Sequence, residues 1–238
     1  MEKTMNTSRK LNRRGFTKIS AFAVLGGATF TTYSGKNPHA AESQGAIRLG
    51  GPVMEAYDSP EQWIAILKRL GYSAAYCPVD FKQSDDVVNA YAKAAKEAGI
   101  VISETGAWSN PLDPDETKSK AAMETCKNQL ALAERIGANC CVNITGSRGT
   151  VWDGHDPLNL TGETFDMIVE ITRSIIDAVK PTRTFFTLET MPWAFPDSPD
   201  SYLKLIQAID RKGFAAHLDP TNLINSPERS EERRVGKE

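Results

Sequence analysis

The feature that most constrains the fold of this chain is an alternation of apolar strands and amphipathic helices that begins near residue 45. The predicted strands read AIRLGGPV, SAAYCPVD, IVISETG, NCCVNITGS, TFFTLET and FAAHLD. The segments between them carry apolar residues at helical spacing; in the second helix the predicted inward face holds Val87, Tyr91, Ala94 and Ala98. Such an alternation implies a parallel sheet, arranged as an open doubly wound sheet or as a βα barrel.

The ends of four helices carry a common signal, because each helix runs into a glycine that is followed almost at once by a strand. We predict that these glycines take the left-handed conformation that closes a helix, which a residue without a Cβ adopts at little cost. They are Gly71, Gly99, Gly137 and Gly213. The repeated ending indicates one βα unit used again and again along the chain.

Polar residues at the strand ends favour the barrel over the open sheet. Asp80, Glu104, Asn143, Glu189 and Asp219 each stand at or near the end of a predicted strand. A barrel brings these ends to one rim, where the catalytic residues of such folds lie. The GxGxxG run that dinucleotide-binding sheets place after a strand does not occur in the sequence. We therefore predict the α/β class and a (β/α)8 TIM barrel type, with about six βα units present.

Two of these acids are the strongest candidates for chemistry. Glu189 ends TFFTLE, and Asp219 ends FAAHLD, which is the next predicted strand. Neighbouring parallel strands lie about 4.8 Å apart, so the two carboxylates are expected to come close together. They would repel each other unless a divalent cation lay between them, whereas in the alternative each acid caps a loop or pairs with Lys or Arg.

The motifs LETMPW after the fifth strand and HLDPTN after the sixth, together with the order of units, resemble the xylose isomerase-like sugar phosphate isomerase/epimerase family over roughly residues 46–227. The resemblance implies a TIM barrel with a divalent metal (Mn²⁺, Mg²⁺, Co²⁺ or Zn²⁺). It also implies that Glu189 and Asp219 are two of four metal ligands. The other two, a His on strand seven and a Glu on strand eight, have no counterpart among the six predicted strands.

The same resemblance implies a sugar isomerase or epimerase that transfers protons through an enediolate, with Glu189 as the catalytic group. Several members carry His three residues after the strand-six Asp, where this chain has Asn222. An amide still bonds a hydroxyl but does not titrate near neutrality, so the substrate and the reaction are both open at this point. The other candidate substrate-binding residues are His217, Glu104, Trp108, Trp193 and Asn143.

Composition narrows the function classes that remain. The net charge of −2 and the three histidines argue against nucleic acid as a partner and against a phosphodiester-cleaving enzyme with a His-rich site. A small-molecule sugar is the expected partner. Two other functions stay open, a keto-inositol dehydratase-type lyase and a non-catalytic carbohydrate-binding barrel. The four cysteines lack CxxC spacing, and we predict them to be core thiols outside any disulfide.

The first 44 residues are predicted to be a twin-arginine export signal with a linker, and the protein is predicted to be periplasmic. Arg13 and Arg14 are followed by Phe16, Lys18 and an apolar run at 19–30. This run is too short for a stable membrane span.

The predicted domains are therefore the signal and linker at 1–44, an incomplete barrel at 45–227, and a charged tail at 228–238 that is foreign to the barrel. Six strands leave two unpaired sheet edges, which favours a homo-oligomer. With half of the implied ligand set, we expect this chain to be inactive by itself.

Overall fold

The computed structural model describes residues 47–223, so the predicted export signal at 1–44 and the predicted charged tail at 228–238 lie outside the described residues. The strands are β1 Gly50–Gly51, β2 Ala74–Tyr76, β3 Val101–Gly106, β4 Cys140–Asn143, β5 Phe185–Glu189 and β6 Phe214–His217. The helices are α1 Pro60–Arg69, α2 Asp85–Ala98, α3 Glu116–Ile136, α4 Gly162–Val179, α5 Pro199–Ile209 and α6 Pro220–Leu223.

The strands form one parallel sheet whose spatial order follows the sequence, from β1 to β6. A doubly wound sheet reverses its strand order at a switch point, and this sheet does not. The order is that of a TIM barrel, in which each βα unit is placed beside the one before it. The predicted class and barrel type are therefore confirmed, and residues 47–223 form a partial barrel with β1 and β6 at its edges.

The two sides of the sheet differ in what covers them. One side packs against the helices and belongs to the main core; its strand residues include Ala75, Ile102, Cys141, Phe186, Leu188 and Phe214. By strand alternation and register, the other side carries Tyr76, Glu104, Cys140, Phe185, Glu189 and His217. We call the first the helix-facing side and the second the inner face.

The core is filled by large apolar side chains from every helix between α1 and α5. Those that are almost completely buried include Trp63, Leu67, Leu130, Ile175, Leu205 and Ile209. The Trp63 ring meets the Tyr91 ring edge to face, with centroids 5.7 Å apart. This packing joins α1 to α2 and fixes the helix layer against the sheet. Within residues 47–223 no helix has the length and apolar content that crossing a bilayer requires.

Three of the four predicted glycine caps are confirmed, since Gly71, Gly99 and Gly137 have φ angles of 73°, 69° and 80°. The prediction for Gly213 is wrong, because the residue that caps α5 in the left-handed conformation is Asp210, whose φ is 47°. Gly213 meets a different constraint: a Cβ there would lie 3.0 Å from Ile176 Cγ2. The glycine thus permits close packing beside β6 rather than a left-handed turn.

The predicted inward face of α2 is partly wrong. Tyr91 is buried as expected, but Val88 and Ala95 are buried in place of Val87 and Ala94. The helix has alanines on several sides, so the apolar pattern does not distinguish between neighbouring faces. Contact with the core decides between them.

Candidate active site

The candidate site lies where β5 and β6 end. Glu189 is the last residue of β5, and it is paired in register with His217, the last residue of β6. Asp219 follows two residues later, and in an extended backbone side chains two residues apart lie on the same side. All three side chains are partly buried. Strand order alone therefore brings Glu189 and Asp219 to one edge, as the sequence predicts.

The carboxyl groups of Glu189 and Asp219 are hydrogen-bonded to each other. Burial and this bond raise the pKa of Glu189 above its ordinary value. Burial acts in the same direction on Asp219, but its pKa is nevertheless lowered, because the Thr221 amide donates to Oδ1 at 2.7 Å and the Glu189 and Asn222 bonds add to this. The two carboxyl groups are therefore coupled, and Glu189 takes up a proton before Asp219 as the pH falls.

A second contact crosses the inner face. His217 Nε2 lies 3.1 Å from Glu104 Oε2, which joins the end of β6 to β3. The bond to Glu104 raises the pKa of His217, and burial only partly opposes that shift. His217 Nδ1 is buried and has no hydrogen-bond partner within the described part of the chain. Glu104 and His217, two separate candidates in the sequence, thus form one ion pair when the imidazole is protonated.

Asn222 belongs to the same cluster. Its Nδ2 atom donates to Glu189 Oε1 at 3.3 Å and approaches Met191 Sδ at 3.2 Å. Its main-chain N–H donates to Asp219 Oδ1 at 3.4 Å. The short helix α6 therefore ties Asn222 to both acids, so this residue orients the two carboxyl groups.

Asn143 is turned away from this cluster. It is fully buried on the helix-facing side, where its Oδ1 accepts the Ser109 N–H at 3.0 Å and its Nδ2 donates to the Ser109 carbonyl at 3.1 Å. Nδ2 also lies 3.4 Å from Cys126 Sγ on α3. The structure gives Asn143 the role of clamping the loop after β3, because its place in the register opposite Leu188 points its side chain toward the helices.

The two tryptophans lie in loops beside the rim. Trp108 is 49% exposed with a φ of 33°, and its indole covers Gly106, where a Cβ would fall 2.0 Å from Nε1. Gly106 is therefore required for the indole to lie against the end of β3. Trp193 is partly buried in the loop between β5 and α5.

Several residues around the cluster were not singled out by the sequence. The Thr190 hydroxyl donates to the Asp219 carbonyl and accepts the Asp219 N–H, both at 3.2 Å, so it fixes the backbone that carries Asp219. Tyr76 lies on the inner face, where burial and the charges of Glu104 and Glu189 raise its pKa. Strand alternation would have identified Tyr76, whereas the Thr190 contact depends on how two loops meet.

The side chains at this rim fit a divalent cation in part. The carboxyl groups of Glu189 and Asp219, at neighbouring strand ends, supply the hard oxygen ligands that Mg²⁺ and Mn²⁺ prefer. Within residues 47–223 no group of three or more His, Cys, Asp or Glu side chains is arranged to hold a metal ion. Glu189 and Asp219 therefore fit a cation as two of its ligands, not as a complete site.

A family model described as a xylose isomerase-like TIM barrel matches residues 64–238. No curated protein matches the sequence of this chain at a significant level. The D-psicose 3-epimerase of Clostridium cellulolyticum, solved with D-tagatose, is similar in structure, with a TM-score of 0.57 and 16% identity. That match covers 76% of this chain and 67% of the epimerase.

Two further solved structures share the fold. A probable 3-DHS dehydratase from Bacillus anthracis has a TM-score of 0.57 and 14% identity, over 79% of this chain and 70% of its own. A xylose isomerase-like TIM barrel protein of Mycobacterium smegmatis, in complex with magnesium, has a TM-score of 0.51 and 17% identity, over 73% of this chain and 62% of its own. At such low identities these likenesses establish the architecture alone.

Proposed function

The chain belongs to the xylose isomerase-like TIM barrel family, and on that premise we propose that it comes from a metal-dependent sugar isomerase or epimerase. The observation that carries the proposal is that Glu189 ends β5, Asp219 follows the adjacent strand β6, and Asn222 donates hydrogen bonds to both carboxyl groups. Two acids gathered at a barrel rim are costly to maintain unless a cation or a substrate proton uses them. The epimerases among the similar structures support this choice of reaction.

Glu189 is the proposed proton-transfer group. Its raised pKa keeps the carboxyl able to hold a proton nearer neutrality than an ordinary glutamate does. Glu189 removes the proton from the carbon beside the substrate carbonyl and later returns one. Asn222 holds Glu189 Oε1 through a hydrogen bond, which orients the carboxyl for this transfer.

Glu189 and Asp219 are the residues that would hold a divalent cation, with Mn²⁺, Mg²⁺, Co²⁺ and Zn²⁺ as the candidates. The magnesium complex of the similar mycobacterial protein supports a metal of this kind. When bound, such a cation acidifies the C–H beside the carbonyl and stabilises the negative charge that develops on the oxygen. Glu104 fixes the His217 imidazole at the inner face, where a sugar hydroxyl is the expected ligand.

The proposal concerns the whole protein rather than residues 47–223 by themselves. The chain spans 67% of the length of the similar epimerase. In addition, Glu189 and Asp219 would be two of the four metal ligands that the resemblance to this family implies. A homo-oligomer is part of the proposal, since β1 and β6 are the edges of the described sheet.

A dehydratase-type lyase is the second candidate. The similar Bacillus anthracis protein, a probable 3-DHS dehydratase, is the observation that favours it. Both reactions begin by removing a proton next to a carbonyl, so Glu189 would have the same first role in either one. Water loss and an unsaturated product would identify the lyase.

The test is the exchange of substrate C–H with deuterated water across a panel of ketoses, in protein expressed from its complete reading frame with Mn²⁺ added. We expect exchange with at least one ketose, and Glu189→Gln should abolish it while the protein stays folded. Glu97→Gln is the matched control, because Glu97 is exposed on α2 and pairs with the exposed Lys93, at 3.8 Å. Unchanged exchange in Glu189→Gln would refute the role. Sugar binding without exchange or metal would favour a carbohydrate-binding barrel.

We also propose that the protein is exported to the periplasm. The Arg13–Arg14 pair and the apolar run after it support this proposal. Fusing residues 1–44 to a reporter that folds in the cytoplasm tests it. Export that survives replacement of both arginines by lysine would count against the twin-arginine route.

A further inference from the structure

Tyr202 is the fourth residue of the eleven-residue helix α5. Its side chain reaches the part of β5 and β6 that carries the candidate site. The side chain is 5% exposed and lies on the helix-facing side. Its hydroxyl is 2.6 Å from the Leu188 carbonyl, 3.3 Å from the Leu188 N–H nitrogen, 3.0 Å from the His217 nitrogen and 3.1 Å from the Ala215 carbonyl. One side-chain oxygen thus touches four main-chain atoms of two neighbouring strands.

The donor and acceptor roles of the Tyr202 hydroxyl follow from the chemistry of a phenol. A phenolic hydroxyl donates one proton and accepts through its lone pairs. The shortest contact identifies the Leu188 carbonyl as the acceptor of that proton, while the Leu188 and His217 N–H groups donate to the oxygen. Burial raises the pKa of Tyr202 to about 12, so the hydroxyl keeps the proton it donates. The ring is held as well, because it stacks on Phe214 with centroids 6.1 Å apart.

The peptide groups that Tyr202 contacts are those next to the site residues. The Leu188 carbonyl belongs to the peptide unit that joins Leu188 to Glu189. The His217 N–H belongs to the peptide unit that joins Ala216 to His217. A strand is rigid over the length of one residue. A shift of the first peptide unit therefore moves the Glu189 side chain, and a shift of the second moves the His217 side chain.

We propose that Tyr202 is a positioning residue, whose hydroxyl fixes the spacing of β5 and β6 at the rim and thereby the placement of Glu189 and His217. The expected effect on metal binding rests on the proposed function, whereas the hydrogen bonds of Tyr202 do not depend on it. Side chains behind a metal or catalytic group commonly set its orientation, and their loss typically weakens metal binding by about 10–100-fold. Tyr202 acts in this way through the backbone, from the opposite side of the sheet.

The test compares Tyr202→Phe with Tyr91→Phe in protein expressed from its complete reading frame. Tyr91 is the matched control, because its ring is also buried against the core and packs on Trp63. The first measurement is the imidazole nitrogen shift of His217 at one fixed pH, after labelling of the histidines with ¹⁵N. In Tyr202→Phe we expect the ¹⁵N shift of His217 to move toward the value of a free imidazole, because His217 loses its alignment with Glu104. In Tyr91→Phe we expect this shift to stay unchanged.

The second measurement is the binding of Mn²⁺ alone, followed by water proton relaxation. Binding should weaken about tenfold in Tyr202→Phe and stay unchanged in Tyr91→Phe. If the unsubstituted chain binds no Mn²⁺, the proposed function loses its support, whereas the histidine shift still decides the role of Tyr202. An unchanged His217 shift in folded Tyr202→Phe, or equal Mn²⁺ affinities, would overturn the inference.

A third measurement covers the case in which Tyr202→Phe does not fold. In the unsubstituted chain the Tyr202 hydroxyl proton should exchange slowly with water. It should also show nuclear Overhauser effects to the Leu188 and His217 amide protons. Their presence supports the inference, and a fast-exchanging hydroxyl without these effects overturns it.

Discussion

The two sides of strand β5 serve different purposes, although their residues alternate one by one along the chain. On the helix-facing side Phe186 is 1% exposed and belongs to the main core. On the inner face Phe185 is 42% exposed, and burial together with Asp219 raises the pKa of Glu189. Stability is therefore concentrated on one side of the sheet and titratable groups on the other, so substitutions one residue apart should have separable effects.

The largest expected effect is that of Phe186→Ala, which should lower the free energy of unfolding by about 3–5 kcal/mol, because it leaves a cavity between the sheet and the helices. The matched substitution Phe185→Ala should cost less than about 1 kcal/mol, since its ring is already partly in water. Urea unfolding followed by circular dichroism measures both. Equal losses would mean that the inner face is packed as tightly as the core.

Asn143→Ala should have the next largest effect, about 1–3 kcal/mol, because it leaves the partly buried Ser109 main-chain groups without their Asn143 partners. Asn89→Ala is the control, as Asn89 is exposed on α2, where alanine is a good helix former. Thermal unfolding of the two variants provides the comparison. If Asn143→Ala kept full stability but impaired sugar binding, Asn143 would belong to the site after all.

Glu189→Gln should change the free energy of unfolding at pH 7 by no more than about 1 kcal/mol, and the direction should be toward greater stability. The reason is that the raised pKa of Glu189, caused by burial and by Asp219, disfavours its charged form in the folded protein. A group of this kind costs stability above its folded pKa, and the cost disappears as the pH falls through that pKa. The gain from Glu189→Gln should therefore vanish in acid, and a marked loss at pH 7 would contradict this account.

The smallest effect concerns the adjacent thiols of β4. Cys141 is completely buried on the helix-facing side, and burial raises its pKa strongly; Cys140 is only partly buried on the inner face. Iodoacetamide at pH 8 should therefore alkylate Cys140 before Cys141, with mass spectrometry of peptides as the readout. Both thiols should react at similar rates in urea. Faster reaction of Cys141 in the native protein would show that the helix layer opens.

Much of the fold could be predicted because its signals are local. Helix caps such as Ser59 and Ser84, each accepting a main-chain N–H, are visible as residue types at the expected positions. Strand alternation placed Glu189 correctly at the end of β5. The same local reasoning could not show that the Asn143 side chain lies on the helix-facing side, because the side to which a short strand residue points depends on its register with both neighbours.

Apolar periodicity and the order of elements were enough to predict the repeated βα unit, the parallel class and the strand ends at which Glu189 and Asp219 stand. The folded chain was needed to show that His217 meets Glu104, 113 residues away, and that Tyr202 bonds to the strands behind the site. Contacts between residues so far apart in sequence depend on how the sheet curves and how α5 packs on it. Curvature and packing result from many small packing energies spread along the chain, so no short stretch of sequence determines them.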